Sequence, residues 1–313
     1  MLDVRCNQEA GEGSGVTRDI LCLFWAEMMT SCFIGYDEVV PTVRHDMIKQ
    51  HWEAVGRLLF FGLRVGYFPI KLSFAFLVST IFGEDNLKDT TIVDSFKRYI
   101  TPDEKETIDK FEKDDSNDGS LKDELIDTLD SYKDFSNPTR ESLTNLHPAR
   151  ESLTNLLKEL GHQELIQKPR YMANCFQSVF GTRRVAQDHP FKSKELLAKF
   201  YTDRKPTNRK LINCLKTSDL TDAQSACFNH LTRFIKSLSK DKLLIFLRFV
   251  TGSDIMPENP ILVDFNQEKT GTPFVRTCVP MLSLSSSYDC YNMLAEELTN
   301  VIMNKESYSF LVI

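Results

Sequence analysis

Apolar residues recur at helical spacing along most of this chain, and close to the C-terminus the pattern shortens to strand-like alternation. Thr17 is placed to cap a first helix, with Asp19 in its first turn and Ile20, Leu23, Phe24 and Met28 on one face. Gly35 to Pro41 reads as a turn. A second helix follows, with Ile48, Trp52, Val55 and Leu59 spaced four, three and four apart. Gly56, Gly62 and Gly66 match neither a dinucleotide nor a Walker phosphate loop, so they read as sites of close helix packing. Thr221-Asp222-Ala223-Gln224 is a capping box, and its helix carries Phe228, Leu231, Ile235 and Leu238. Ser239 and Asp241 open the next helix, with Leu243, Leu244, Leu247 and Val250. Ile261–Phe265, 274–278 and 281–284 are short strands of a small sheet under helices, which makes the fold class α+β.

Composition narrows the function. At 313 residues the chain is one large domain or two smaller ones. No apolar run is long enough to span a bilayer, and no signal-peptide pattern opens the chain, so neither a membrane nor secretion is expected. The eight cysteines (Cys6, Cys22, Cys32, Cys175, Cys214, Cys227, Cys278, Cys290) show no CxxC and no metal-ligand spacing. They suit a reducing, intracellular setting, cytoplasmic or nuclear, with no metal and no cofactor. A net charge of −6 and a pI near 5.6 argue against a dedicated nucleic-acid binder.

The charge is unevenly spread. Residues 102–125 hold ten acidic and four basic side chains, a solvated face or a dock for a basic partner. Residues 183–210 hold nine basic and three acidic, among them Arg183, Arg184, Lys192, Lys194, Arg204, Lys205, Arg209 and Lys210. That run is an exposed lysine-rich face or an attractor of an acidic protein surface. Arg140–Leu146 recurs as Arg150–Leu156, which reads as a local duplication in a surface segment. Residues 1–15, polar and Gly-rich, read as disordered or as an incomplete start.

The candidate chemistry lies in Phe274-Val275-Arg276-Thr277-Cys278-Val279-Pro280-Met281-Leu282. Pro280 cannot donate to a sheet ladder, so Cys278 falls at or near a strand end, where a side chain can meet a partner. Arg276 lies two residues away, on the same face if the strand holds. A fixed cation favours thiolate, the nucleophilic form. The plain alternative is a small buried hydrophobe that happens to be cysteine.

Around this stretch, Phe249-Val250-Thr251-Gly252, Thr277-Cys278, Tyr288 before a last helix, and Phe310 fourth from the end follow in order. The succession resembles the C-terminal lobe of HECT-type ubiquitin ligases. Its Cys-x-Pro spacing resembles a divergent branch, the cell-cycle-phase-specific HECT-like ligases. Gly56-Arg57-Leu58-Leu59 resembles a segment of the family's N-terminal lobe. The resemblance implies a bilobal α+β fold: a mostly helical N-lobe over 16–214 with a divergent middle region, a hinge at 215–221, and a smaller α/β C-lobe with a short sheet over 222–313.

The resemblance also implies an activity. Cys278 would accept ubiquitin as a thioester from a ubiquitin-conjugating enzyme and pass it to lysines of a protein substrate. Thr277 would orient the site, and Phe310 would anchor the tail. Arg276 stands where the family has histidine; an arginine keeps its proton and cannot take one from the thiol. Between 85 and 213 no segment resembles the part of the family that grips the conjugating enzyme. A catalytically weak or inactive interaction scaffold is therefore the alternative. A cysteine protease would need a partner histidine, and His45, His51, His147, His162, His189 and His230 lie in no protease motif.

Overall fold

The computed structural model describes residues 13–113, 119–132, 150–182, 191–266 and 272–304. In chain order the helices are α1 (Ser14–Cys32), α2 (Lys49–Arg64), α3 (Phe74–Phe82), α4 (Asp89–Tyr99), α5 (Pro102–Lys113), α6 (Gly119–Asp130), α7 (Arg150–His162), α8 (Arg170–Thr182), α9 (Lys194–Arg204), α10 (Asn208–Cys214), α11 (Asp222–Ser237), α12 (Lys240–Thr251) and α13 (Tyr291–Met303). The strands are β1 (Phe33–Gly35), β2 (Val39–Pro41), β3 (Leu215–Lys216), β4 (Ile261–Asn266), β5 (Phe274–Arg276) and β6 (Met281–Ser285). The expected α+β class holds. The chain forms two compact units, one of Glu27–Leu58 and Lys71–Ala198, the other of Met1–Ala26, Leu59–Ile70 and Lys199–Ile313.

The first unit is built on helices. α3 is apolar almost throughout, so Ala75, Phe76, Leu77 and Val78 are all buried and the helix runs through the core. Phe96 of α4 and Leu157 of α7 are fully buried where those helices pack. β1 and β2 make a hairpin across the expected turn. The acidic stretch folds into α5 and α6, which turn Ile108, Leu125 and Leu129 inward and leave Asp103, Glu106, Asp123 and Glu124 exposed. The second copy of the short repeat is no surface segment: Leu153 and Leu156 are buried, since apolar residues three apart at the start of α7 share one face. The first copy lies outside the described residues.

The second unit holds a four-stranded sheet in the order β3-β4-β6-β5. β3, β4 and β6 run parallel, and β5 pairs antiparallel with β6. Ile261 and Val263 of β4 and Leu282 and Leu284 of β6 share a buried core with Leu231 and Ile235 of α11, Phe246 and Leu247 of α12, and Leu294 and Leu298 of α13. Each such fully buried side chain contributes roughly 1.5–3 kcal/mol. The capping box forms as expected, with the Thr221 hydroxyl accepting from Gln224 N and the Gln224 side chain accepting from Thr221 N. Ser239 caps α12. Gly62 packs 3.0 Å, at its missing Cβ, from the Tyr67 carbonyl, and Gly66 takes a left-handed φ of 85° to end α2, so these glycines serve packing and a turn.

Two expectations change here. α1 starts at Ser14, and Thr17 lies inside it, its N–H and its hydroxyl both bonded to the Gly13 carbonyl. Its buried face is Val16, Leu21, Cys22 and Trp25, while Leu23 is exposed. The helix is apolar on nearly every side, so periodicity alone marks no single face. Leu215 and Lys216, the first residues of the stretch 215–221, pair with β4 as β3. Arg204, expected on a solvated basic face, is buried; its guanidinium donates to the Met256 carbonyl at 2.8 Å and pairs with Glu258. Arg183 and Arg184 lie outside the described residues.

One interior cluster carries a pH signature. The Asp254 carboxyl is buried beside the Cys22 thiol and the Tyr67 hydroxyl. Burial raises the Asp254 carboxyl above its ordinary range and pushes the Cys22 thiol up to about 12. The folded carboxyl thus holds its proton to higher pH than the unfolded chain. Stability present at low pH is lost as pH rises through that raised value. Asp254→Asn, neutral and nearly isosteric, is expected to melt higher than the unchanged protein, with an advantage larger at neutral pH than at the ordinary aspartate value of about 3.9. A gap that narrows with pH would contradict this.

Candidate functional site

α12 is stopped by Gly252, which takes the left-handed conformation (φ 71°, ψ 14°) and donates its N–H to the Arg248 carbonyl at 2.8 Å. A side chain is excluded there twice over, because a Cβ would lie 2.6 Å from the carbonyl oxygen of Gly15 in α1. Thr251 is buried, and its hydroxyl donates back to the Leu247 carbonyl at 2.8 Å. The first turns of α1 therefore lie directly against the end of α12.

β5 is only three residues long, and a turn over 277–280 leads into β6. Cys278 sits in that turn and is exposed. Pro280 ends the turn, and its carbonyl accepts from Leu262 N at 2.9 Å, which ties the turn to β4. Thr277 is buried, whereas Val279 beside the cysteine is 62 % exposed. The expected strand position of Cys278 is thus corrected by two residues. The correction matters for Arg276. With the strand ended, alternation no longer aligns it with Cys278, and its guanidinium lies over the Phe274 ring, 6.0 Å from the centroid.

The cation at Cys278 comes from α1. Arg18 donates through Nη2 to the Thr277 carbonyl at 2.5 Å and through Nε to the Thr251 carbonyl at 3.2 Å. It thereby joins the cysteine turn to the end of α12. Burial pulls this guanidinium below its ordinary value, and the nearby Cys278 works in the opposite sense. An arginine so placed keeps its charge at neutral pH. The next residue, Asp19, pairs with Arg248 of α12 at 2.6 Å and sets the rotation of α1. Sequence reading missed Arg18, which is 259 residues from Thr277.

The approach is close. A Cβ on Gly13 would lie 2.6 Å from the Cys278 sulfur, and one on Gly15 would lie 2.8 Å from Thr277 Cβ and 2.9 Å from its carbonyl carbon. Gly15→Val is expected to push α1 off the cysteine turn and to cost about 1–3 kcal/mol of folding stability, read by denaturant titration. Ser14→Ala, at an exposed neighbouring position, should cost far less. Equal midpoints for the two variants would show that the close approach is not required.

Cys278 opens on a cavity of about 390 Å³, with Arg18, Arg64, Arg204, Glu258 and Pro280 also in its wall. A sulfur at its edge can attack an acyl group, and a fixed guanidinium beside it can stabilise charge on sulfur or on an acyl oxygen. Phe310 lies outside the described residues. Among the described residues, no group of three or more His, Cys, Asp or Glu side chains is placed to hold a metal ion, and no helix is long and apolar enough to cross a membrane.

The family model HECT-domain (ubiquitin-transferase) matches residues 150–311, just over half of the chain. The chain belongs to the HECT family. Membership places it in the ubiquitin-ligase class, whose HECT domains engage ubiquitin, conjugating enzymes and protein substrates. The HECT match takes in Thr251, Gly252, Thr277, Cys278, Tyr288 and Phe310. It starts inside the stretch 85–213, in which no segment by itself resembles the part of the family that grips the conjugating enzyme. Gly13, Gly15, Arg18 and Arg64 lie outside the matched residues. No curated protein matches the chain.

Proposed function

We propose that this HECT domain accepts ubiquitin as a thioester on Cys278 and transfers it to substrate lysines. The observation that carries the reading is an exposed cysteine in a pinned turn, beside the Arg18 guanidinium and open to a cavity. The thiolate attacks the thioester carbon on the conjugating enzyme, whose own sulfur leaves. An amine then attacks the new thioester, and Cys278 leaves in turn. Cysteine suits both steps as nucleophile and leaving group. Thr277 serves through its backbone, since its carbonyl is the anchor for Arg18. All seven cysteines among the described residues are free thiols, as a reducing intracellular setting would keep them.

The test is to mix the full chain with a panel of charged conjugating enzymes and to run the products on gels with and without reductant. A ubiquitin adduct that disappears with reductant supports the proposal. The second reading, a scaffold without turnover, draws on Arg276 at the family's histidine position. Folded protein that forms no adduct with any enzyme of the panel would put that reading first.

A further inference from the structure

The cavity at Cys278 has an excess of positive charge. Three arginines line it, and the carboxylate of Glu258, also in its wall, is paired with Arg204. Arg18 is bonded to two backbone carbonyls and Arg204 to the Met256 carbonyl as well. Arg64 differs from both. It is exposed in the last turn of α2, and no hydrogen bond or ion pair is formed by it among the described residues. An arginine there commonly serves the carbonyls at the helix end. Backbone donors already take that role: Val65 N bonds Phe61 O at 3.3 Å, Gly66 N bonds Leu63 O at 3.4 Å, and Tyr67 N bonds Gly62 O at 2.8 Å. The planar fork of Arg64 is thus free to take a carboxylate with two parallel bonds.

We propose that Arg64 reads an acidic side chain next to the acceptor lysine, so that the cavity selects lysines with a carboxylate neighbour. This rests on the reading of Cys278 as the ubiquitin-carrying cysteine. The surplus charge has two effects on an arriving lysine. It repels the ammonium form, and it favours loss of the proton, giving the neutral amine that can attack. An acidic neighbour on Arg64 offsets the repulsion during approach without touching the amine. The amine nitrogen then bonds to the thioester carbon, the carbon–sulfur bond breaks, and sulfur leaves as the Cys278 thiolate beside Arg18. The extra proton on nitrogen passes to water.

The experiment uses the full chain preloaded with ubiquitin, its reducible adduct first seen on a gel. Three acceptor peptides share one sequence with a single lysine, flanked by glutamate, by glutamine or by lysine. The first-order loss of adduct and the growth of ubiquitin–peptide are followed. The glutamate peptide should discharge the adduct roughly three- to tenfold faster than the glutamine peptide at low salt, and the lysine peptide slowest. The spread should shrink at about 0.5 M salt. Arg64→Glu, an exposed change, should reverse the order. An adduct that discharges equally onto all three peptides, or an order that survives Arg64→Glu, overturns the proposal and leaves the Cys278 reading standing. Absence of any adduct at the start overturns both.

Discussion

A non-reducing gel of Cys278→Ala, mixed with a charged conjugating enzyme, is expected to show no ubiquitin adduct. Ubiquitin transfer to lysine should fall on the order of a hundredfold or more, because no other group supplies the covalent step. Cys278→Ser is the sharper variant. An oxygen nucleophile is far weaker, but any oxyester it forms resists thiol reductant, so a faint adduct should persist where the native one is lost. Cys290 is the control, being the other exposed cysteine among the described residues; it sits at the start of α13. Cys290→Ala should load as the unchanged chain does. An adduct kept in Cys278→Ala and lost in Cys290→Ala would move the active thiol to Cys290. Neither change removes a core side chain, so melting temperatures should stay close to that of the parent.

Arg18→Ala is expected to slow discharge of a preloaded adduct roughly tenfold or more. It should also destabilise the chain by about 1.5–3 kcal/mol, the range for hydrogen bonds from a charged group. The two effects have separate sources. Stability is lost because the Thr251 and Thr277 carbonyls lose their donor. Rate is lost because a fixed positive charge no longer faces the acyl oxygen and the leaving sulfur. Arg18→Lys separates them: an ammonium restores charge but cannot bridge both carbonyls as the planar fork does. Discharge should recover in part while the melting temperature stays low. If Arg18→Ala lowers the melting temperature and leaves preloaded adduct discharging at the parent rate, Arg18 only holds the turn in place.

Local chemistry made much of this legible in advance. The Thr221–Gln224 capping box, the Ser239 cap and the β4 and β6 strands depend on residues within a few positions of one another. Pro280 marked a break near Cys278, and the break is there. What stayed hidden depends on distant partners. Nothing near Arg18 signals that its acceptors are Thr251 and Thr277, and an arginine on an apolar helix looks like any surface residue. Arg276 was the natural cation to name because it is close in sequence; a strand shorter by two residues was enough to turn it onto Phe274. Arg204 was read by its basic neighbours, whereas its environment is set by Met256 and Glu258, beyond three intervening helices. β3 has two residues, too few for alternation to show.

The partners of α1 also set a timetable. Asp19 meets Arg248 across 229 residues, and Arg18 meets Thr251 and Thr277 across 233 and 259. At a synthesis rate of roughly 5–20 residues per second, α1 leaves the ribosome about 10–50 seconds before the groups that cover it exist. Through that interval Leu21, Cys22 and Trp25, all buried in the finished protein, lie beside an incomplete core. Contacts of such long sequence separation form slowly and leave apolar surface open to wrong pairings. Nascent chains of this protein should therefore lean on chaperones until the last strand of the sheet has emerged.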